Sequence, residues 1–463
     1  MTRFDRMVLV VIAGLVAAIV LIIILGDNVG VQIVRTAPSG VAASTAGVAI
    51  QFNEPMQWDT VTARFSVEPP VEGDFTWTGS TLRFRPVEPL QPGAAYTVTL
   101  DSGAAGRTGR EVLRPVSFDF SVRAPRVAYL MPSDAVPQNV WIADPADPAS
   151  AQQVTFSPSS VLNFDISPDG TRLAFAERSS ETGTSDIKLL DLQTGALQQL
   201  TNCPESDCNT PVWRPDGQMI AYHRVDYNLG LDNVGASPTR VWLIDLTTTP
   251  ASTRPLFSDS QILGYAPQWS ADGSRIAVFD NNSLGILVYD FTDDSTALIP
   301  TRAGGGDVSL SPDGLRVVFP RLIIEGAEAR SNLQMANLET GQIVDLTSPD
   351  VRQDDTQSDW NPDGVRLVLA RRYLDERYTR TRQLYLLDTS TGEDIPLVED
   401  PRYFNGFFSW DPQGRSLVIQ RFPELTEDGQ INNAGRPEVW TYDLESGALT
   451  LVATNAYFPR WVP

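Results

Sequence analysis

The sequence predicts an all-β protein whose last two-thirds form a β-propeller. A short apolar strand, a Ser-Pro-Asp-Gly turn and a second apolar strand occur together at residues 163–175, and this pattern returns five more times. Composition agrees with β structure, because 33 Gly and 34 Pro separate short runs of Val, Ile, Thr and aromatic residues. Successive turn glycines lie 47, 56, 41, 50 and 50 residues apart, which is typical of propeller blades and too long for a helical hairpin repeat. These glycines are Gly170, Gly217, Gly273, Gly314, Gly364 and Gly414.

The repeated turn has a physical basis. Proline sets φ for the first central position, and the aspartate carboxylate accepts a hydrogen bond from its own turn. Glycine takes the positive φ that closes a tight hairpin. A common turn sequence would explain one copy, but six copies between β-rich strands indicate a structural repeat.

The two ends of the array predict the number of blades. Residues 126–156 supply a second, third and fourth strand without a first one, and the C-terminal sequence YFPRWVP, residues 457–463, reads as a first strand. Together these halves make one blade. Six complete units plus this composite predict a seven-bladed β-propeller over residues 126–463, closed by the C-terminal strand so that no sheet edge stays exposed.

The N-terminus predicts a membrane anchor. Residues 7–25 carry no charge and are long enough to cross most of a hydrocarbon core of about 30 Å. Arg3 and Arg6 in the preceding stub, residues 1–6, favour a cytoplasmic N-terminus. A cleaved signal peptide is the alternative, although the apolar run exceeds a usual signal core and no small-x-small cleavage site follows it. We therefore expect a single-pass protein of the cell membrane with everything after Asp27 outside the cytoplasm.

Residues 31–123 predict a small β-sandwich. The runs VAIQFNEPM, TLRFRP, YTVTL and VSFDFSV alternate or stay apolar between Pro and Gly turns. Their order, with PSG at 38–40, IQFNEPM at 50–56 and LQPG at 90–93, resembles the SbsA-type bacterial Ig-like domain over nearly all of residues 33–123. That resemblance implies a spacer or adhesion module of an envelope protein rather than a catalyst.

The repeats carry a second resemblance. Third strands such as IKLLDL, VWLIDL and ILVYDF, and tight turns such as Gln193-Thr194-Gly195, are similar to those of the TolB-like β-propeller. The resemblance implies a role in envelope complexes. The N-terminal domain of TolB is replaced here by an Ig-like one, which argues against a role in the Tol system itself.

The net charge and the number of cysteines argue against two kinds of ligand, nucleic acid and a metal ion. With 35 basic and 57 acidic residues, the net charge of −22 excludes a typical nucleic-acid binder, which carries a basic patch, and solubility explains the acidity. Cys203 and Cys208 are the only cysteines. Outside the cytoplasm they favour a disulfide over a metal site, because the chain has one histidine and no further cysteine.

Catalytic motifs are missing from the sequence. It contains no Gly-x-Ser-x-Gly elbow, no His-Glu-x-x-His and no Gly-rich phosphate loop, and His223 at the end of an apolar strand is interpreted as structural. The acidic groups Asp354-Asp355 with Asp359, and Asp280 with its neighbours, could bind calcium but lack EF-hand spacing. We read them as solvated turns and expect no metal or cofactor.

Loop lengths predict the binding surface. One end of the blades has only tight turns, whereas the other end, here called the long-loop face, receives the insertions 224–239, 321–331, 372–381 and 422–436. Two loops of this face concentrate arginine and aromatic residues, which are enriched at binding hot spots. The candidate binding residues are Arg371, Arg372, Tyr373, Tyr378, Arg402, Tyr403 and Phe404. Neutralisation of carboxylates such as Asp375, Glu376 and Asp400 is the alternative role of the arginines.

The functional expectation is a membrane-anchored, extracytoplasmic scaffold that binds an envelope protein or polysaccharide. The alternative is a propeller enzyme, a glycan lyase or hydrolase that uses carboxylates at the channel mouth, since such a pair leaves no local motif. A perturbed carboxylate pair about 5 to 10 Å apart in the channel would favour the enzyme. A rim rich in aromatic residues and arginine would favour binding.

Overall fold

The structure is a computed structural model that describes residues 8, 11–17, 19–20, 30–227, 235–301 and 308–463. The chain divides into two compact units, Met1–Ala124 and Pro125–Pro463. Residues 8, 11–17 and 19–20 are helical. Across the described ranges, no helix is both long and apolar enough to span a membrane. The rest of the predicted anchor 7–25, and the predicted stub 1–6, lie outside the described residues.

The first unit is a sandwich of two four-stranded sheets. One sheet has the order β1-β3-β6-β5 and the other the order β2-β8-β7-β4, in which only β2 and β8 run parallel. The strands are β1 Ile33–Ala37, β2 Gly40–Ala42, β3 Val48–Phe52, β4 Phe65–Glu68, β5 Gly73–Thr78, β6 Thr81–Pro86, β7 Ala95–Leu100 and β8 Val116–Val122.

The sandwich core follows from the alternation of its strands. Every second residue of a strand faces one side, so Val48 and Phe84 of one sheet meet Val98 and Phe120 of the other in a single buried cluster. One feature was not predicted from the sequence. A short helix, Trp58–Thr62, follows β3, and the Trp58 ring stacks on Trp77 with 5.9 Å between centroids.

The second unit repeats a four-stranded antiparallel sheet. We number the repeats as sheets I to VII, with β9–β11 in sheet I and four consecutive strands in each from II to VII; II and III are joined into one eight-stranded sheet by a parallel bridge between Ser185 and Asp207. The strands are β9 Arg126–Met131, β10 Asn139–Asp144, β11 Asp147–Gln153, β12 Val161–Ile166, β13 Arg172–Arg178, β14 Ser185–Asp191, β15 Leu197–Gln199, β16 Ser206–Trp213, β17 Met219–Asp226, β18 Arg240–Asp245, β19 Ser252–Pro255, β20 Gly264–Trp269, β21 Arg275–Asp280, β22 Gly285–Asp290, β23 Ser295–Pro300, β24 Ser309–Leu310, β25 Arg316–Glu325, β26 Glu328–Asn337, β27 Ile343–Asp345, β28 Gln353–Trp360, β29 Arg366–Tyr373, β30 Gln383–Asp388, β31 Asp394–Val398, β32 Tyr403–Trp410, β33 Ser416–Pro423, β34 Glu438–Asp443, β35 Leu449–Thr454 and β36 Tyr457–Val462.

The C-terminal strand β36 is the fourth strand of sheet I. It pairs antiparallel with β9, with Arg460 opposite Ala128 and Val462 opposite Arg126. It also contacts the first strands of the sheets on both sides, β12 of sheet II and β32 of sheet VII. Val462 is fully buried in the cluster that joins sheets I and II.

The repeated turn links three of the sheets to the next one. Within the turn, the Asp169 carboxylate accepts hydrogen bonds from Ser167 Oγ at 2.6 Å and from the Thr171 amide at 3.1 Å. An arginine two residues after the turn glycine then donates to the glycine carbonyl of the next turn. The three such bonds are Arg172 to Gly217 at 3.0 Å, Arg275 to Gly314 at 3.1 Å and Arg316 to Gly364 at 2.8 Å.

One predicted long loop is wrong. Residues 321–331 do not form a loop, because β25 and β26 continue through this segment as a ladder from Arg316 opposite Asn337 to Glu325 opposite Glu328. The β-branched pair Ile323 and Ile324 favours extended backbone, and a Gly at position 326 with φ of 63° closes the hairpin.

Candidate functional site in the central cavity

All seven sheets line one cavity of about 450 Å³. In six sheets, the residue five positions before the turn glycine occupies an equivalent place in the first strand. Arg460 of β36 fills the same place in sheet I, because it precedes Trp461 as Ser409 precedes Trp410. The seven residues are Asp165, Val212, Gln268, Ser309, Asp359, Ser409 and Arg460, and all but Ser309 line the cavity.

A ladder of tryptophans holds this layer in place. A tryptophan follows the layer residue in five strands, and in four of them its indole N–H donates to a main-chain carbonyl of the preceding sheet's first strand, whereas the indole N–H of Trp213 has no partner among the described residues. The bonds run from Trp269 to Val212 at 3.3 Å, from Trp360 to Ser309 at 3.3 Å, from Trp410 to Asp359 at 3.2 Å and from Trp461 to Ser409 at 3.1 Å. Four pairs of neighbouring first strands are therefore cross-linked, which helps to fix the positions of the side chains that face the cavity.

Bulges aim these side chains at the cavity. Six of the seven first strands shift register within the three residues before the layer position, or at the strand's start in sheet II. In three of them the bulge holds a non-glycine residue at positive φ, namely Thr210 at 53°, Ala266 at 51° and Phe458 at 54°. Such strain persists only where the surroundings support it.

The predicted structural role of His223 agrees with this geometry. The amide of Ala266, in the bulge of β20, donates to His223 Nε2 at 3.0 Å. Burial lowers the pKa of His223 to about 4, so the ring is neutral at neutral pH and accepts this bond.

Two carboxylates face the cavity. Asp165 Oδ2 accepts the main-chain N–H of Trp213 at 2.8 Å, and Asp359 Oδ2 accepts that of Trp410 at 3.2 Å. Each carboxylate thus joins its strand to the next first strand. Burial raises the pKa of Asp165 above its usual value and that of Asp359 to about 7, against the lowering effect of Arg460.

Arg460 lies at the centre of this site. Its guanidinium sits 4.2 Å from the ring centroid of Phe407 and 4.5 Å from that of Phe458. Its Nε is 3.8 Å from Asp165 Oδ1, which is beyond hydrogen-bond distance. Among the described residues, its one hydrogen bond is from Nη1 to the Pro459 carbonyl at 3.5 Å. Most of its five N–H donors are therefore available to a ligand.

Sequence reasoning missed this site. Asp359 was read as part of a solvated acidic turn, and Asp165 and Arg460 were not singled out. The signal was present in the repeat, because aligning the six turns places Asp165 and Asp359 at one position. Which side of the strand faces the cavity depends on the bulges, which the sequence does not reveal.

The predicted binding residue Arg371 is buried. Only 3% of its side chain is exposed, and it forms a two-pronged ion pair with the fully buried Asp355, through Nε at 2.7 Å and Nη2 at 3.1 Å. Its Nη1 bonds Asp394 at 2.5 Å, and its guanidinium lies over the rings of Tyr373 and Tyr385. This geometry gives Arg371 a structural role in sheet VI and leaves it no access to a partner.

The remaining predicted residues do come together at the long-loop face. Asn405 Nδ2 donates to the Arg382 carbonyl at 3.2 Å, and Arg380 Nε lies 3.2 Å from Glu424 in the loop 422–436. That loop in turn bonds the Arg402 carbonyl through the Leu425 amide at 3.0 Å. Three loops from sheets VI and VII therefore form one surface.

Most predicted side chains on this surface have internal partners. Arg372 pairs with Asp354 at 3.2 Å, and Arg402 holds Asp400 through Nε at 2.9 Å and Nη2 at 2.8 Å. The half-buried ring of Tyr403 lies under the Arg421 guanidinium at 4.0 Å. Phe404 is half-buried.

The exposed part of the surface is smaller than predicted. Tyr378 is 58% exposed, and the side chains of Arg377 and Arg402 are about half exposed. Arg377 also covers the predicted Tyr373, with its guanidinium 3.6 Å from the ring centroid.

An open groove of about 450 Å³ lies where sheets I and VII meet. It is lined by Tyr457, Phe422 and Gln420, and the ion pair between Arg436 and Asp134, at 3.0 Å, crosses from one sheet to the other. Cys203 and Cys208 lie away from both cavities. They are joined by a disulfide and buried in the core between sheets II and III.

Known proteins are similar to the two units of the chain separately. Residues 27–122 match the family model of the bacterial Ig-like domain. No protein with a curated description matches the chain in sequence.

Solved propellers are similar in fold. TolB from Acinetobacter baumannii is 16% identical with a TM-score of 0.45, and the match covers 88% of this chain and 84% of TolB. Oligogalacturonate lyase from Vibrio parahaemolyticus is 14% identical with a TM-score of 0.50, over 72% of this chain and 85% of the lyase. The β-propeller domain of the Trilobed protease from Pyrococcus furiosus is 15% identical with a TM-score of 0.46, over 78% of this chain and 93% of that domain.

These similarities show the fold and leave open whether the chain is an enzyme, since they include a lyase and part of a protease beside TolB. Residues 27–122 thus match a bacterial Ig-like domain, and the second unit has a fold similar to that of solved β-propellers.

Proposed function

We propose that this chain is a membrane-anchored, extracytoplasmic binding protein. In this proposal residues 7–25 are a single-pass anchor with a cytoplasmic N-terminus, and the Ig-like domain is a spacer. Sheets I to VII are the seven blades of a ring that β36 closes. The propeller binds a protein or polysaccharide of the envelope through its long-loop face.

The closed ring is supported by two features of β36. It pairs with β9, and it contacts the first strands of sheets II and VII. A closed ring leaves no free edge between its first and last sheets, and it holds the loops of sheets VI and VII in fixed positions.

The observation that carries the binding function is the exposed cluster of Arg377, Tyr378 and Arg402. Each arginine is held by a carboxylate two residues before it in the chain, Asp375 for Arg377 and Asp400 for Arg402, so its orientation is fixed before a partner arrives. A guanidinium oriented in this way loses less side-chain entropy on binding. Arginine and tyrosine supply both contact area and directed hydrogen bonds, as binding hot spots require.

A photo-crosslinking residue at position 378 tests this function in intact cells. The matched control is the same residue at position 391, in an exposed turn at the opposite end of sheet VI. We expect a discrete adduct from position 378 and none from position 391. The double substitution Arg377→Ala and Arg402→Ala should remove the adduct without changing the melting curve, because exposed ion pairs contribute little to stability.

Two results would refute the proposal. One is equal crosslinking at both positions, which would mean that the long-loop face binds no more than the opposite end of the propeller does. The other is an adduct at position 378 that survives the double substitution.

A second candidate function is suggested by Asp165 and Asp359. Both carboxylates face one cavity and both have raised pKa values, as an acid–base enzyme would need. Glycan cleavage is the reaction class in which paired carboxylates act this way. Each carboxylate already accepts a main-chain amide of the next strand, which favours the structural role.

Asp359→Asn separates the two functions. The asparagine oxygen can still accept the Trp410 amide, so the fold should be retained. Turnover of oligogalacturonate or another acidic glycan by the unaltered protein, lost in this variant, would establish the enzyme. No turnover by the unaltered protein on these glycans is the result expected for a binding protein.

A further inference from the structure

We infer that the central cavity is a separate ligand site, in which Arg460 binds the carboxylate of a singly charged small molecule. The cavity volume of about 450 Å³ is within the range of small-molecule sites, about 300 to 1,000 Å³. The site is distinct from the exposed surface of Arg377, Tyr378 and Arg402, so the inference does not depend on the proposed partner binding.

The first argument is the unused hydrogen-bonding capacity of Arg460. The rings of Phe407 and Phe458, whose centroids are 5.1 Å apart, pack together on one side of the guanidinium and leave its other side and its N–H edge for acceptors. About a quarter of the side chain, 26%, is exposed, and it lines the cavity. A carboxylate matches the fork of two parallel N–H donors that such an edge presents.

The second argument is the state of the neighbouring carboxylates. Asp165 contacts Arg460 only at 3.8 Å, and one oxygen of each carboxylate is occupied by a main-chain amide. Because burial raises the pKa of Asp359 to about 7, this group is partly protonated at neutral pH and then donates a hydrogen bond to an incoming anion.

The third argument concerns the charge of the ligand and its apolar part. Asp165 beside the guanidinium, together with the ionised fraction of Asp359, opposes any anion, and opposes a doubly charged phosphate more than a single carboxylate. Val212 and Phe407 also line the cavity and provide apolar contacts for a compact ligand body. Gln268 is exposed in the wall and offers an amide to a polar substituent.

Titration calorimetry of the full chain in detergent tests the site. The probes are N-acetylglycine, which represents a peptide terminus, galacturonate, which represents an acidic sugar, and inorganic phosphate. We expect one of the two monocarboxylates to bind and phosphate to bind about tenfold more weakly or not at all. The preferred monocarboxylate identifies the source of the ligand. Absence of binding by both monocarboxylates, or tighter binding of phosphate, overturns the inference.

Two variants decide whether Arg460 is responsible. Arg460→Met should weaken binding by about 10- to 100-fold, which corresponds to the loss of a charged hydrogen bond. Since Arg460 lies on β36 and its loss could disturb the fold, Gln268→Glu is the second variant. It removes no contact of the protein and introduces a carboxylate that competes for the cavity, so it should weaken binding to a similar extent with an unchanged melting curve.

The control variant is Arg402→Met on the long-loop face. It removes one positive charge from the same protein, and it should leave carboxylate binding unchanged. If Gln268→Glu binds the monocarboxylate as the unaltered protein does, or if Arg402→Met weakens binding equally, the site is not at Arg460.

Discussion

Arg371→Met should destabilise the propeller strongly, although the sequence placed this residue in a binding surface. The substitution keeps the length of the side chain and removes its charge. Asp355 is fully buried and receives two of its hydrogen bonds from Arg371, so the variant leaves this carboxylate without its cationic partner. Breaking a buried ion pair by removing one partner costs about 3 to 5 kcal/mol.

The expected loss is a large fraction of the total stability. Domains unfold with a free energy of about 5 to 15 kcal/mol, so the variant loses about a third to a half of it if the propeller lies near the middle of that range. The guanidinium also contacts the rings of Tyr373 and Tyr385, at 5.6 and 5.1 Å from their centroids. Loss of these cation–π contacts adds to the loss of stability, because the substitution removes the guanidinium that packs against both rings.

Urea unfolding followed by tryptophan fluorescence measures the effect. Arg371→Met should lower the unfolding midpoint clearly, whereas Arg402→Met, whose ion pair with Asp400 is exposed, should leave it nearly unchanged. Adding Asp355→Asn to Arg371→Met should restore part of the loss, because the unpaired buried charge is then removed as well. Unfolding of Arg371→Met at the midpoint of the unaltered protein would refute the buried ion pair.

The other predictions concern the disulfide, the histidine and the turns. Without reductant neither Cys203 nor Cys208 should react with a thiol reagent, and reduction should cost about 2 kcal/mol of stability for a loop of this length, measured by urea unfolding. Burial lowers the pKa of His223 to about 4, so as the pH falls below about 6.5 the unfolded chain takes up a proton that the folded chain does not. The free energy of unfolding should therefore fall by up to about 3 kcal/mol by pH 4, relative to the variant H223Q. Gly414→Ala should destabilise the protein more than Gly392→Ala. Both glycines have positive φ, but only at position 414 would a Cβ lie 2.4 Å from the side-chain oxygen of Asn361. Equal melting curves for the two variants would contradict this contact.

The repeat could be recognised from the sequence because its signal is local. A tight turn needs particular residues at particular positions, and the alternation of each strand follows from one buried face, so the sequence predicts the turns and most of the strands. The segment 321–331 was misread because its charged residues resemble a loop. Its strands β25 and β26 continue because two long strands can pair with each other beyond the body of the sheet.

The site could be predicted only in part, since it depends on contacts between distant residues. Arg371 and Arg402 look alike in sequence, yet one is buried against Asp355 and the other is exposed beside Asp400. The partner of Arg371 is 16 residues away on the neighbouring strand, whereas that of Arg402 is two residues away. Burial of an arginine is thus set by the pairing of strands, which local composition does not encode.

Hydrogen exchange of β9 tests the closed ring, on which the long-loop face and the central cavity both depend. If β36 closes sheet I, β9 has a paired strand on both sides, as β29 has in sheet VI, whereas β31 is an edge strand. Measured by mass spectrometry on the full chain, the amides of residues 127–130 should be protected to the same degree as those of residues 367–370. Exchange of residues 127–130 at the rate of the edge strand β31 would show that the ring is open and would contradict the account.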